Sequence, residues 1–192
     1  MLINSLDPLM NHYSDGVRVQ MLIDRSVGNT NKGSKRWVNK LISRDIESYK
    51  KNVDKLLTQQ QFIGDPNIRL YASVNSRKVT TAVRMLHHAM IDLPPEDYVN
   101  FYTNIHNKFV SCLMKPASRL SKYFIIDVDD PDFFPELFIS SIALAHKIHT
   151  HHYYKTPGGW HIITNPFDIR LLADTPKAEL KTDGLILLNV LE

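Results

Sequence analysis

FIIDVDD at positions 124–130, followed by KTPGGWHII at 155–163, decides how this chain is read. Phe124, Ile125, Ile126 and Val128 build an apolar strand that carries Asp127 and ends at Asp129. Residues i and i+2 of a strand point to one face, so both carboxylates aim at one spot. Carboxylates that close repel each other unless a cation stands between them. Hard oxygen ligands of this kind suit Mg²⁺ or Mn²⁺, ions that bridge carboxylates to phosphates. Downstream, a Pro-Gly-Gly turn enters a second strand bearing His161. The glycines let backbone approach a ligand closely, and Lys155, Thr156 and His161 are donors to phosphate. An acidic strand, a glycine turn and a histidine together point to nucleotide chemistry.

The rest of the composition narrows the class. With 192 residues, 43% of them hydrophobic and 22% charged, the chain is long enough for one well-buried domain. No apolar run approaches the length that spans a bilayer, and the N-terminus lacks the basic and apolar regions of a secretory signal. A single cysteine, Cys112, excludes an internal disulfide and a thiolate zinc site, and sits in an apolar helical pattern as a buried thiol. A cytoplasmic, reducing setting is the expectation. The net charge of +3 conceals an asymmetry: residues 1–91 carry 14 Lys/Arg against 7 Asp/Glu, and residues 92–192 carry 9 against 13. A basic half beside an acidic half suits a polyanion held near bound metal, or else a solvated basic face without a partner.

Along the chain, GVRVQMLI (16–23) reads as a strand, 24–36 as an exposed basic loop, and WVNKLISRDIESYKKNVDKLL (37–57) as a helix from its apolar spacing. IRLYASVN (68–75) is a strand followed by a helix over 76–92 with Ser76 as a plausible N-cap, and 93–114 is a second helix begun by Pro-Pro. KPAS breaks the chain before strand 122–129. An apolar helix follows within 131–151, then strand 160–164, an ambiguous stretch at 165–181 and a buried strand at 184–191. Interleaved helices and strands predict an α/β (α+β) fold in one domain over 1–192. His146, His149, His151 and His152 run across a helix end, where their rings diverge as a surface cluster and do not build a zinc site. Asp130 and Asp132 flank Pro131 as turn-forming acids. Arg69, Asn75, Arg77 and Lys78 end a strand with donors that either grip a nucleic-acid backbone or cap the next helix.

These residues resemble the archaeo-eukaryotic primase superfamily, in its phage and plasmid primase-polymerase form. The resemblance rests on DVD at 127–129, GWH at 159–161 and AELKTDG at 178–184 before the apolar run LILL, and covers roughly residues 120–190. It implies an RRM-like catalytic half over 116–192, with a basic, mixed α/β N-terminal module over 1–115 packed on it. Asp127, Asp129 and Glu179 would be the catalytic acids that bind Mg²⁺ or Mn²⁺, with Asp183 a competitor for the place of Glu179. His161, Lys155, Thr156, Gly159 and Lys181 would bind the nucleotide. The implied activity is template-directed nucleotidyl transfer from nucleoside triphosphates, with single-stranded nucleic acid as template and a helicase among possible protein partners.

Two other readings stay open. One is a catalytically inactive nucleic-acid-binding protein of the same fold. The other is a small metal-dependent phosphatase or nuclease that uses the same metal site for hydrolysis. FIIDVDD also resembles the nucleophile strand of haloacid-dehalogenase-type phosphatases, but those usually place a threonine where Pro131 stands, and only 63 residues follow Asp129. KTDG at 181–184 matches the adenylylated motif of nucleic-acid ligases, but only eight residues follow it.

Overall fold

The computed structural model describes residues 15–26, 36–146, 148–172 and 177–191. Most of the basic loop expected over 24–36 falls outside the described residues. The fold is α+β, built on two antiparallel sheets.

The first sheet is assembled from β1 (Gly16–Asp24), β2 (Arg36–Ser43), β3 (Ile68–Ser73) and β9 (Leu185–Asn189), in the order β2-β1-β3-β9. The short β4 (Arg77–Lys78) pairs with the start of β1. β1 is central and buried along almost its whole length. Its alternate residues feed two different cores. Leu22, with Leu70, Ala72, Ile186 and Leu188, packs under α1 (Ile46–Ile63), while Val19, Met21 and Ile23, with Tyr71 and Leu187, pack under α2 (Val79–Ile91) and α4 (Ile105–Leu113). Each fully buried Leu or Ile in these layers contributes about 1.5–3 kcal/mol.

The helix expected over 37–57 begins later, and its first seven residues form β2. Asn39 stands opposite Leu22 but Trp37 opposite Ile23, which leaves Val38 as an extra residue in a bulge. The bulge breaks the period-2 alternation, and the resulting apolar spacing imitates a helix. The true helix start is marked by Asp45. Its side chain accepts from the Ser48 amide at 2.7 Å while the Ser48 hydroxyl accepts from the Asp45 amide at 3.1 Å, a reciprocal capping box. Gly64 ends α1 in the left-handed conformation at φ 69°.

The expected second helix over 93–114 is divided into a 3-10 turn at Pro95–Asp97, α3 (Tyr98–Thr103) and α4. Ser76 does not cap α2. It is buried, its amide donating to the Ser121 hydroxyl, and the first turn of α2 is capped by Asp15 through Thr80.

The second sheet holds β5 (Phe124–Val128), β6 (Thr150–Thr156), β7 (Gly159–Thr164) and β8 (Ala178–Lys181), in the order β6-β7-β5-β8. α5 (Pro135–His146) connects β5 to β6, and a 3-10 turn at Ile169–Leu172 stands between β7 and β8. This is the winding of a β-α-β-β-α-β unit in which, among the described residues, a single 3-10 turn stands at the place of the second helix. Phe138 and Ile139 of α5 cover the face formed by Ile126, Val128 and Ile162. The opposite face of the sheet, with Ile125, Ile163 and Tyr154, joins the α1 core of the first sheet.

Two details modify the sequence reading. The histidines expected across a helix end lie largely on an extended segment: His151 and His152 are in β6, and His149 precedes it with its ring edge-on to His151 at 4.6 Å. The terminal strand β9 leaves the 116–192 half and pairs with β3 of the first sheet. Among the described residues no helix is long and apolar enough to cross a membrane.

Candidate functional site

The site begins with strand register. Across the second sheet, Tyr154 of β6 stands opposite His161 of β7, His161 opposite Asp127 of β5, and Asp127 opposite Glu179 of β8. Directly opposed residues share a face, so one cross-strand row runs Tyr154–His161–Asp127–Glu179. Lys181, two residues beyond Glu179, falls on the same face, and Asp129 extends it past the end of β5. Gly159 makes the row possible. It is buried against β5, and a Cβ placed on it would lie 1.9 Å from the Val128 carbonyl oxygen. Neither Gly158 nor Gly159 adopts positive φ; the close approach is what requires glycine here.

Hydrogen bonds fix the row in one sense. His161 Nε2 lies 3.1 Å from Asp127 Oδ1 and, facing a carboxylate, donates to it. In the neutral ring Nδ1 then accepts from the Tyr154 hydroxyl at 2.8 Å, and that hydroxyl accepts from the Leu187 amide at 3.1 Å. Lys181 Nζ donates to Asp127 Oδ2 and lies 3.5 Å from Glu179 Oε2. The bond from His161, reinforced by Lys181 and opposed by burial, holds the Asp127 carboxyl at about 2. Burial opposes the charge on Lys181, yet its bond to Asp127 and the nearby charges of Asp127 and Glu179 together raise its pKa. Burial also pushes the Tyr154 phenol well above its ordinary range, so it remains a proton donor to His161.

His161 and Asp127, the middle of this row, stand in one wall of a cleft of about 440 Å³ between the two sheets. Asp127, Asp129, His161, Lys181 and the turn Thr156–Gly158 line it from the second sheet. Ile23, Arg25, Arg69, Tyr71, Leu185 and Leu187 line it from the first, and Asp183 and Gly184 close one end. No family model, curated protein or solved structure matches this chain. The site is therefore interpreted from its own geometry.

The structure brings together Asp127, Asp129, His161, Thr156 and Lys181 in the cleft, with Glu179 beside it. Glu179 is 73% exposed and reaches the row through Lys181. Gly159 acts as packing, through the β5 contact described above. Lys155 is corrected. It stands opposite Trp160, one residue out of phase with Tyr154, and so lies on the α5 side of the sheet. Asn75 and Arg77 are corrected as well. Arg77 is completely buried, its guanidinium forking onto Asp183 at 2.8 and 2.7 Å, and Asn75 binds the backbone of Tyr123 and the Asp183 carboxylate. Donors spent inside the fold are not offered to a template. The same fork occupies Asp183, which leaves Glu179 as the acid beside Asp127. Lys78 is exposed at the start of α2, away from the cleft, and Arg69 faces into it. Asp130 binds Lys177 and the Asp132 amide, as a turn acid does.

Two contributors escaped the sequence reading. Tyr154 sits opposite His161 across the Thr156–Gly159 hairpin, a relation visible only once HYYKT is read as a strand. Arg25 was absorbed into a basic loop, although it directly follows β1.

The donor chemistry fits a divalent metal. Asp127 and Glu179 already share a cation, the Lys181 ammonium, and Asp129 adds a carboxylate with no hydrogen-bond partner among the described residues. Among those residues no group of three or more His, Cys, Asp or Glu forms a ready-made cage. Mg²⁺ is commonly held by one or two carboxylates together with substrate phosphates and water, so such a cage is not required.

Proposed function

We propose that this chain is a metal-dependent nucleotidyltransferase of the primase-polymerase type, extending a nucleic-acid strand on a single-stranded template from nucleoside triphosphates. The observation that carries the reading is the row His161–Asp127–Glu179 on one face of an antiparallel sheet, with Asp129 at its end, opening into a cleft walled by Arg25 and Arg69. Asp127, Asp129 and Glu179 would hold Mg²⁺ or Mn²⁺. Such an ion, when bound, lowers the pKa of an attacking hydroxyl and offsets charge on the triphosphate. The protein's own work is positioning. His161, oriented by Tyr154, keeps Asp127 ionised and aimed into the cleft, and Lys181 supplies a positive charge beside the acids that phosphate oxygens can use.

The test is a strand-synthesis assay with a single-stranded template, Mg²⁺ or Mn²⁺ and labelled nucleotides. Product accompanied by pyrophosphate, and lost in Asp127→Asn/Asp129→Asn, is the expected result. Release of inorganic phosphate or cut template would identify a hydrolase instead.

One observation favours a second reading. Asp127 is already charge-balanced by Lys181 and hydrogen-bonded by His161, as suits a nucleic-acid-binding protein that performs no chemistry. That reading expects template binding unchanged in the double variant, with no product from either protein.

A further inference from the structure

The nucleotide-binding residues implied by sequence are only partly available. His161 uses both ring nitrogens on Tyr154 and Asp127, and Lys155 faces the other side of the sheet. Across the cleft, however, two cations stand uncommitted. Arg69 occupies a position opposite Ile23 on the face that carries Tyr71. Its Nε is buried with no hydrogen-bond partner, and its guanidinium makes no ion pair among the described residues. Arg25 follows β1, held through its amide on the Asn67 carbonyl at 3.0 Å, with its side chain in the cleft lining and likewise unpaired among those residues. A buried donor without a partner costs about 1–3 kcal/mol, and charged groups carry more, so a fold that retains one at a cleft wall is prepared for an acceptor. Acidic side chains line the facing wall, yet neither arginine pairs with them. The unmet charge of this wall is cationic and forked, the geometry with which guanidinium groups match phosphate.

We infer that Arg25 and Arg69, from the first sheet, bind the polyphosphate of the incoming nucleoside triphosphate, which spans the cleft toward Asp127 and Asp129. This rests on the nucleotidyltransferase reading and assigns the phosphate subsite within it. The cavity volume lies within the ordinary range for a small-molecule site. The apolar surface of Tyr71 and Leu187 beside Arg69 gives the sugar or base a dry contact. The two sheets thus divide the substrate, the second taking the reacting end and the first the charged tail.

The test measures Mg²⁺-supported binding of a fluorescent nucleoside triphosphate, and of its monophosphate, to the intact chain. In the unaltered protein the triphosphate should bind more tightly. Arg69→Ala and Arg25→Ala should each weaken triphosphate binding about tenfold, one charged hydrogen bond's worth, and leave monophosphate binding almost unchanged. Arg25→Ala, in an exposed turn, guards against a folding defect at Arg69, and the melting temperature of both variants is recorded. A triphosphate-to-monophosphate ratio that stays constant in both variants overturns the inference, as does a loss confined to single-stranded template binding. The two proposals fail separately. Synthesis with an unchanged ratio defeats the phosphate assignment alone, while a collapsed ratio without any synthesis defeats the nucleotidyltransferase reading and keeps the phosphate site.

Discussion

Two carboxylates bound the same cleft and live under opposite regimes. Asp183 is gripped by both arms of a fully buried Arg77 and by Asn75, at the corner where the first sheet meets the 182–184 loop. Asp127, 16% exposed, is held by a histidine and by a lysine that is itself more than one-third exposed. The first arrangement has no slack, because moving Arg77 would strand a charge in the interior. In the second, Lys181 can leave for solvent at little cost. An acid fixed by buried guanidinium serves architecture; an acid balanced by a flexible ammonium can exchange its partner for a metal or phosphate-bound cation. The difference lies in burial of the cation, not in the carboxylate.

Substitutions can break that contrast. Arg77→Ala should carry the largest effect, a loss of about 3–5 kcal/mol in urea unfolding, because it removes one partner of a buried pair. A loss below about 1 kcal/mol, the scale of a surface pair, would place Asp183 in the same class as Asp127. Next is Gly159→Ala. Its Cβ meets the Val128 carbonyl at 1.9 Å, and pushing the β6–β7 hairpin off β5 should cost about 3 kcal/mol and misplace His161, read as reduced thermal stability together with lost synthesis.

The smallest stability effect is expected at Asp127 itself. Asp127→Asn keeps the shape and should cost about 1 kcal/mol, while synthesis falls about a hundred- to a thousandfold. Its signature is in acid. The folded Asp127 carboxyl sits at about 2, below its ordinary value of 3.8, so the unfolded chain binds more protons between these values. The stabilisation is complete above about pH 4 and is lost as pH falls through about 2. A urea series from pH 2 to 5 should show this limb flattened in Asp127→Asn. An identical limb in both proteins would remove Asp127 from the acid response.

How much of this was legible in the sequence follows from the range of each interaction. The DVD strand and the strand carrying His161 announce themselves by local pattern, whereas HYYKT has no strand assignment and AELK falls in an ambiguous stretch, so the row Tyr154–His161–Asp127–Glu179 emerges only from the β pairing. The Val38 bulge hid β2, since one extra residue shifts the apolar phase. Arg77 and Asn75 looked like surface donors because their acceptors, Asp183 and the Tyr123 carbonyl, lie far away along the chain. Lys155 was misplaced by a single residue of strand phase. Arg69 was legible as a basic residue, but its place in the cleft depends on the second sheet standing opposite it, which no local pattern encodes.

The placement of β9 has a kinetic consequence. Ala72 pairs with Ile186 and Ser73 with Leu185, so the edge of the first sheet closes only after nearly the whole intervening chain has found its place. Contacts of such sequence separation form slowly and late. The Leu187 amide on that same strand orients Tyr154, and through it His161 and Asp127. Refolding should therefore restore helical signal well before nucleotide binding, with the organised site appearing as the final event of folding.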